Sequence, residues 1–197
     1  MMKTKNGGED DELDSGNGVE LEIEKTGPYS LTVHSKIVVQ ASLQTVWDVL
    51  TDYERLPDFI PGLAVSRVVE KGDKYARVFQ IGKQKLPFGL KFDAKATLDC
   101  FEKDIQMLPC GRKRDIEFKM IEGDFKRFEG KWIVIEQSSD TLVGGESQTT
   151  LEYIANGESK MWLPIRLVEG RMRNEIQINM SSLRKEAEKL FRNIQLA

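Results

Sequence analysis

SLQTVWDVLTDYERLPDFIP, residues Ser42–Pro61, and EGDFKRFEGKW, residues Glu122–Trp132, are the two stretches on which the fold turns. In the first, Leu43, Val46, Trp47, Val49 and Leu50 recur at helical spacing behind Ser42, whose hydroxyl suits a helix N-cap. Thr45 stands where a capping box would need Glu or Gln. Asp52 is a candidate cap for whatever follows. Pro57 and Pro61 forbid a long continuation, so Tyr53–Ile60 is predicted as a short helical turn or two, released at Gly62. In the second stretch, Gly123 and Gly130 flank Phe125 and Phe128, which predicts a bend between two antiparallel strands with aromatics turned inward.

Working outward, Ser30–Ala41 is β-branched and partly alternating, the pattern of a strand. Leu63–Glu70, Tyr75–Ile81, Phe88–Phe101, Arg114–Glu122, Phe128–Glu136 and Glu146–Ile154 are strand-like too. Lys71–Asp73 and Ser138–Thr141 supply turns. Phe92, Ala94, Ala96, Leu98 and Cys100 fall on one face, against charged and polar neighbours on the other. Ile116, Phe118 and Met120 oppose Asp115, Glu117 and Lys119 in the same way. This is the signature of an antiparallel sheet with one buried face. From Val168, apolar residues recur every three or four positions to Ile194, giving one long amphipathic helix. Its other face, with Arg171, Arg173, Arg184, Lys185, Glu186 and Glu188, is expected in solvent.

The predicted fold is therefore α+β: a curved antiparallel sheet of about seven strands, two short helices after the first strand, and a long C-terminal helix. A sheet with one apolar face needs a cover, and only the last helix is long enough. A curved sheet gripping one helix leaves a space between them, which favours binding an apolar molecule over bond-breaking chemistry.

With 197 residues, the chain fits one domain, read as residues 21–195 behind a disordered acidic tail at 1–20. A net charge of −3 carries no clustered basic excess, so nucleic acid is not an expected partner. No run of 18 apolar residues is present to form a spanning helix. The tail has no apolar core of a secretory signal, and its acidity fits the remnant of a removed transit peptide better than the peptide itself. Cys100 and Cys110 are read as reduced thiols; without a CxxC or a Cys/His cluster, no zinc site is expected and no cofactor is called for. The chain is read as a monomer.

The order of elements, with VWDVLTDYERLPDFIPGL, EGDFKRFEGKW and the closing LPIRLVEGRMRNEIQINMSSLRKEAE, resembles the polyketide cyclase/dehydrase family of the START-like, helix-grip superfamily. It is similar to the coenzyme Q-binding START-domain proteins of that group. The likeness runs from about Ser30 to Phe191. It implies a helix-grip fold and a hydrophobic small-molecule ligand: a lipid, an isoprenoid quinone or a pigment intermediate. The acidic tail ahead of such a domain resembles plastid-targeted plant members, which implies a chloroplast location, with mitochondrion and cytoplasm as alternatives.

The expected cavity lining is Phe79, Phe88, Phe92, Phe118, Phe125, Trp132, Tyr153, Trp162, Leu167, Met172, Ile176 and Met180. Phe128 belongs to the same aromatic set. Pro87–Gly89 and Trp162–Pro164 are read as rim loops. His34 is the sole histidine and reads as a plain strand residue, since no nucleophile motif accompanies it. Gly144–Gly145 lacks the Lys-Ser/Thr of a phosphate loop. Lys83–Lys85 and Arg112–Arg114 are basic clusters at strand ends, suited to solvated tips or to transient contact with an anionic membrane surface. Two alternatives stand beside the carrier reading. One is a protein- or ribosome-interaction module acting through Arg112, Lys113 and Arg114. The other is a cyclase or dehydratase, for which Arg77 and Tyr153 are the inward acid–base candidates.

Overall fold

The computed structural model describes residues 17–85, 91–138, 147–160 and 164–197. Nine strands appear among them: β1 (Val19–Gly27), β2 (Ser30–Val39), β3 (Leu63–Gly72), β4 (Tyr75–Lys85), β5 (Lys91–Glu102), β6 (Gln106–Leu108), β7 (Gly111–Gly123), β8 (Arg127–Gln137) and β9 (Thr149–Glu158). The helices are α1 (Leu43–Thr51), α2 (Leu56–Phe59) and α3 (Glu169–Leu196), with 3₁₀ turns at Tyr53–Arg55 and Ile165–Leu167. The pairing is antiparallel throughout, in the order β1-β2-β9-β8-β7-β5-β4-β3, with β6 folded onto β7. The sheet is thus the expected one with two strands more. β1 escaped a periodicity reading because only Val19 and Leu21 are buried in it, while Glu20, Glu22 and Glu24 lie outside. β6 has three residues, too few to carry a period.

Because β2 pairs with β9 while β3 forms the far edge, the α1–α2 arm must cross the sheet from one side to the other. Register shifts at Val68/Glu70 and Thr97/Leu98 sharpen the local twist. α1 begins where Ser42 Oγ accepts the Thr45 N–H at 3.2 Å. Glu136 sits at the same helix end and accepts the Leu43 N–H at 2.9 Å, where a carboxylate complements the helix dipole. The predicted Asp52 cap does not form: no side-chain capping bond follows it, and Pro57 enters α2 within its first turn. The α1 indole of Trp47 is buried beneath the Arg114 guanidinium, 3.8 Å from the ring centroid.

The core sits between the concave face and α3. Val39, Val46, Val78, Ile116, Val134 and Leu151 are among its fully enclosed members. Gly130 marks a close approach: a Cβ there would run into Ile154 O and sit 2.9 Å from the Phe118 ring. Both cysteines are free, Cys100 buried and Cys110 exposed.

Candidate functional site

Two lobes open between the sheet and α3, of about 250 and about 280 Å³. Leu63, Gln80, Gly82, Leu98, Phe128, Tyr153, Glu175, Ile176 and Asn179 line both, so the lobes meet at a common waist. The first lobe extends under the α1–α2 arm to Leu50, Tyr53 and Leu56 and is closed by Met180 and Leu183. The second extends towards Leu31 and Val33 of β2, with Ile165, Val168 and Met172 on its helix side.

The space follows from side-chain size. Gly82, Ala94, Ala96, Ala155 and Gly157 form much of the floor of the second lobe. A Cβ added to Gly157 would meet nothing within 4 Å. Small residues on a curved floor leave unfilled volume beneath a helix that bridges it. Along the wall the aromatics form a connected series. Phe125–Phe128 ring centroids lie 5.7 Å apart, Phe128–Phe118 5.2 Å, Phe118–Tyr153 6.0 Å and Tyr153–Trp132 4.4 Å. Such offset and tilted contacts hold rings in place without filling the space in front of them.

Burial governs the titrating groups here. It raises the Tyr153 hydroxyl above the ordinary tyrosine range, keeping it a neutral donor at physiological pH. Tyr53 is raised chiefly by burial, helped by Cys100 and Glu102, and its hydroxyl donates to Glu102 Oε1 at 3.0 Å. The Cys100 thiol is pushed up to about 12 by burial and by Asp99 and Glu102, which keeps it protonated near neutrality. At the waist, Gln80 Nε2 donates to Ser66 Oγ at 3.1 Å, whereas the enclosed Asn179 Oδ1 has no hydrogen-bond partner.

Of the twelve expected lining residues, the structure places Phe92, Phe118, Phe125, Trp132, Tyr153, Met172, Ile176 and Met180 around the two lobes. Phe88 and Trp162 lie outside the described residues, as do residues 86–90 and 161–163, where the rim loops were expected, and the glycines at 144 and 145. Phe79 is a correction. It alternates with buried Val78 and lies on the convex face, 5.7 Å under the Arg67 guanidinium. Leu167 is a second correction, 49% exposed in the 3₁₀ turn ahead of α3. Arg77, a candidate inward acid–base group, also points outward. Its Nε donates to Asp99 Oδ1 at 2.7 Å and its Nη2 to Asp99 Oδ2 at 3.1 Å, with the Tyr75 hydroxyl on the same carboxylate. Hydrogen bonding from Arg77 holds Asp99 below the usual carboxylate range.

The basic cluster on β7 is turned to internal use. Arg112 pairs with Glu136, Lys113 with Asp115, and Arg114 donates to Lys103 O while covering Trp47. Glu186, expected in solvent, is buried against Arg55 at 3.7 Å and Lys189 at 2.5 Å. His34 is exposed on β2, 3.3 Å from Glu152. Among the described residues, no three His, Cys, Asp or Glu side chains gather as a metal site would require. Sequence reasoning missed Gln80, Glu175 and Asn179. Glu175 and Asn179 stand one helical turn apart beside the apolar row, but their polarity reads as surface.

Comparison with known proteins gives a consistent picture. A model of the family described as polyketide cyclase/dehydrase and lipid transport matches residues 39–184. No curated protein matches the chain in sequence. Human STARD10 superposes with a TM-score of 0.64 at 15% identity, covering 87% of this chain and 70% of that one. A STAR-related lipid transfer protein from Xanthomonas axonopodis gives 0.62 at 12% identity, covering 86% and 93%. The Zhui aromatase/cyclase from Streptomyces sp. R1128 gives 0.61 at 16% identity, covering 82% and 95%. At such identities the likeness establishes a shared START-like, helix-grip fold.

Proposed function

This chain belongs to the polyketide cyclase/dehydrase and lipid transport family, and on that premise we propose that its cavity binds a hydrophobic small molecule and carries or shields it without transforming it. The observation that carries this reading is the concavity itself. Five connected aromatic rings form one wall, glycines and alanines the floor, and Met172 and Ile176 the helix side. The flexible thioether of Met172 adapts to varied ligand shapes. Two solved relatives of this fold are named for lipid transfer or for START-type proteins, and the third for aromatase/cyclase activity. The fold therefore leaves room for either, and the choice rests on the cavity chemistry. Arg77 faces away from it, and its thiol and phenol groups are held protonated.

The driving force is desolvation. Covering about 400 Å² of apolar ligand contributes roughly 10 kcal/mol gross at about 25 cal/mol/Å². Lost ligand freedom and ordering of side chains offset much of it, leaving micromolar affinity, which suits reversible delivery. Native mass spectrometry of the protein purified gently from its own cell type, followed by extraction of the bound fraction, tests the reading. A stoichiometric lipid, quinone or pigment is expected. Ile176→Asp, which puts a charge at the waist, should arrive empty while keeping its secondary structure and a cooperative melt. A folded Ile176→Asp protein that still carried cargo would refute the cavity assignment. A chemically altered product in the wild-type extract would point to cyclase chemistry instead.

A further inference from the structure

The waist between the lobes is polar, although both lobes are apolar. Gln80 reaches it from β4, Glu175 and Asn179 from α3, and all three line both lobes. Glu175 and Asn179 are separated by one helical turn, so their side chains stack along the same stripe of α3. Asn179 Oδ1 is shut off from solvent and has no hydrogen-bond partner in the protein. An unpaired amide oxygen in an apolar enclosure is costly, and proteins rarely retain one unless something else supplies the donor. Gln80 uses one amide N–H on Ser66, which leaves its carbonyl oxygen and its second N–H for any further partner. The acceptor at the waist that the protein itself leaves unpaired is therefore the amide oxygen of Asn179.

From this geometry, and resting on the carrier reading above, we infer that the ligand is a neutral, largely apolar molecule carrying a hydroxyl group flanked by apolar segments on both sides. The hydroxyl donates to Asn179 Oδ1 at the waist, and the two apolar parts occupy the two lobes. At Asn179 Oδ1 a central polar group that can only accept, such as a ketone or a quinone carbonyl, would set carbonyl against carbonyl and leave the acceptor unpaired. Among redox pairs, the hydroquinone form is favoured over the quinone. Discrimination of this kind comes from the penalty of leaving a buried acceptor unpaired, more than from the bond itself.

The test uses the full chain and three probes of nearly equal shape: diheptyl carbinol, diheptyl ketone and pentadecane. Each competes with N-phenylnaphthylamine, a neutral dye whose fluorescence rises in apolar cavities. The carbinol should bind about tenfold tighter than the ketone, the factor expected when a buried acceptor goes unpaired. In Asn179→Leu that ratio should fall to about one, and Gln80→Met should lower it by a smaller factor. Asn179→Ser gives the same readout with a smaller packing change, should the leucine variant fail to fold. If carbinol and ketone displace the dye equally from the wild type, the hydroxyl inference is overturned and the carrier reading stands. If the ratio is high but unmoved in the Asn179 variants, the inference is again overturned, because the donor is then read elsewhere. If none of the three probes displaces the dye, the carrier reading itself fails.

Discussion

The two halves of α3 obey one sequence rule and do different work. Both place apolar residues every three or four positions on the face turned to the sheet. In the C-terminal half, Met180, Leu183 and Ala187 are buried, and this part of the helix packs against α1. In the N-terminal half, from Glu169 to Ile178, no residue is fully buried, and Met172, Glu175 and Ile176 border the lobes. The difference lies in what faces them. α1 covers the C-terminal half, where Met180 and Leu183 close the end of the first lobe, while glycines and alanines of the sheet lie opposite the N-terminal half. Periodicity thus reports which side of a helix turns inward, and the partner's side-chain volume decides whether that side is core or cavity.

Three experiments sharpen this contrast, from the largest expected effect to the smallest. Leu183→Ala should cost about 2–5 kcal/mol, the range for truncating a buried leucine, whereas Met172→Ala should cost under about 1 kcal/mol because its side chain is only partly buried. Urea unfolding of both variants checks this; equal losses would mean that the N-terminal half is core. Next, Arg55→Ala combined with Lys189→Ala removes both cations beside Glu186, whose side chain is 8% exposed. A buried carboxylate left without partners should lower stability by about 1–3 kcal/mol, with Glu186→Gln restoring part of it. The matching removal of Lys25, which holds Glu169 at 2.6 Å in the N-terminal half, should change stability by under about 0.5 kcal/mol.

The smallest effect at neutral pH concerns ionisation. Cys100 lines the first lobe with its thiol raised from 9.0 to about 12, and Tyr53 and Tyr153 are raised as well. Each is favoured in its protonated form by the fold. Their contribution is therefore complete below the unfolded-state values and disappears as pH rises through the folded ones. Stability should be flat around neutrality and decline from about pH 9 upward, and Cys100→Ala should make that decline shallower. Iodoacetamide under native conditions should alkylate exposed Cys110 well before Cys100. Equal rates would mean that the first lobe opens freely to solvent.

Much of the molecule was legible without coordinates, because local period carries local structure. The Ser42 cap, the short α1, the interruption by Pro57, the alternation in β5 and β7 and the long closing helix all follow from neighbours within a few residues of each other. The family resemblance rests on the same features. The choice of face failed on β4. Phe79 and, on its face, Arg77 were expected to turn inward, but the concave side holds Ala76, Val78, Gln80 and Gly82. On this strand the small residues point in beneath the helix and the large ones point out, where Arg77, Asp99 and Tyr75 form their own hydrogen-bonded group. Equally, no period could show that Gln80 meets Glu175 and Asn179 at one waist, since β4 and α3 are distant in sequence and the three share only a polar character that reads as surface. The sequence by itself determined which elements form and in what order, since those choices depend on backbone preference and local burial pattern. The tertiary structure alone decided that the helix bridges the sheet without filling it, because that depends on how far apart two packed surfaces stand and on the side chains each presents across the gap.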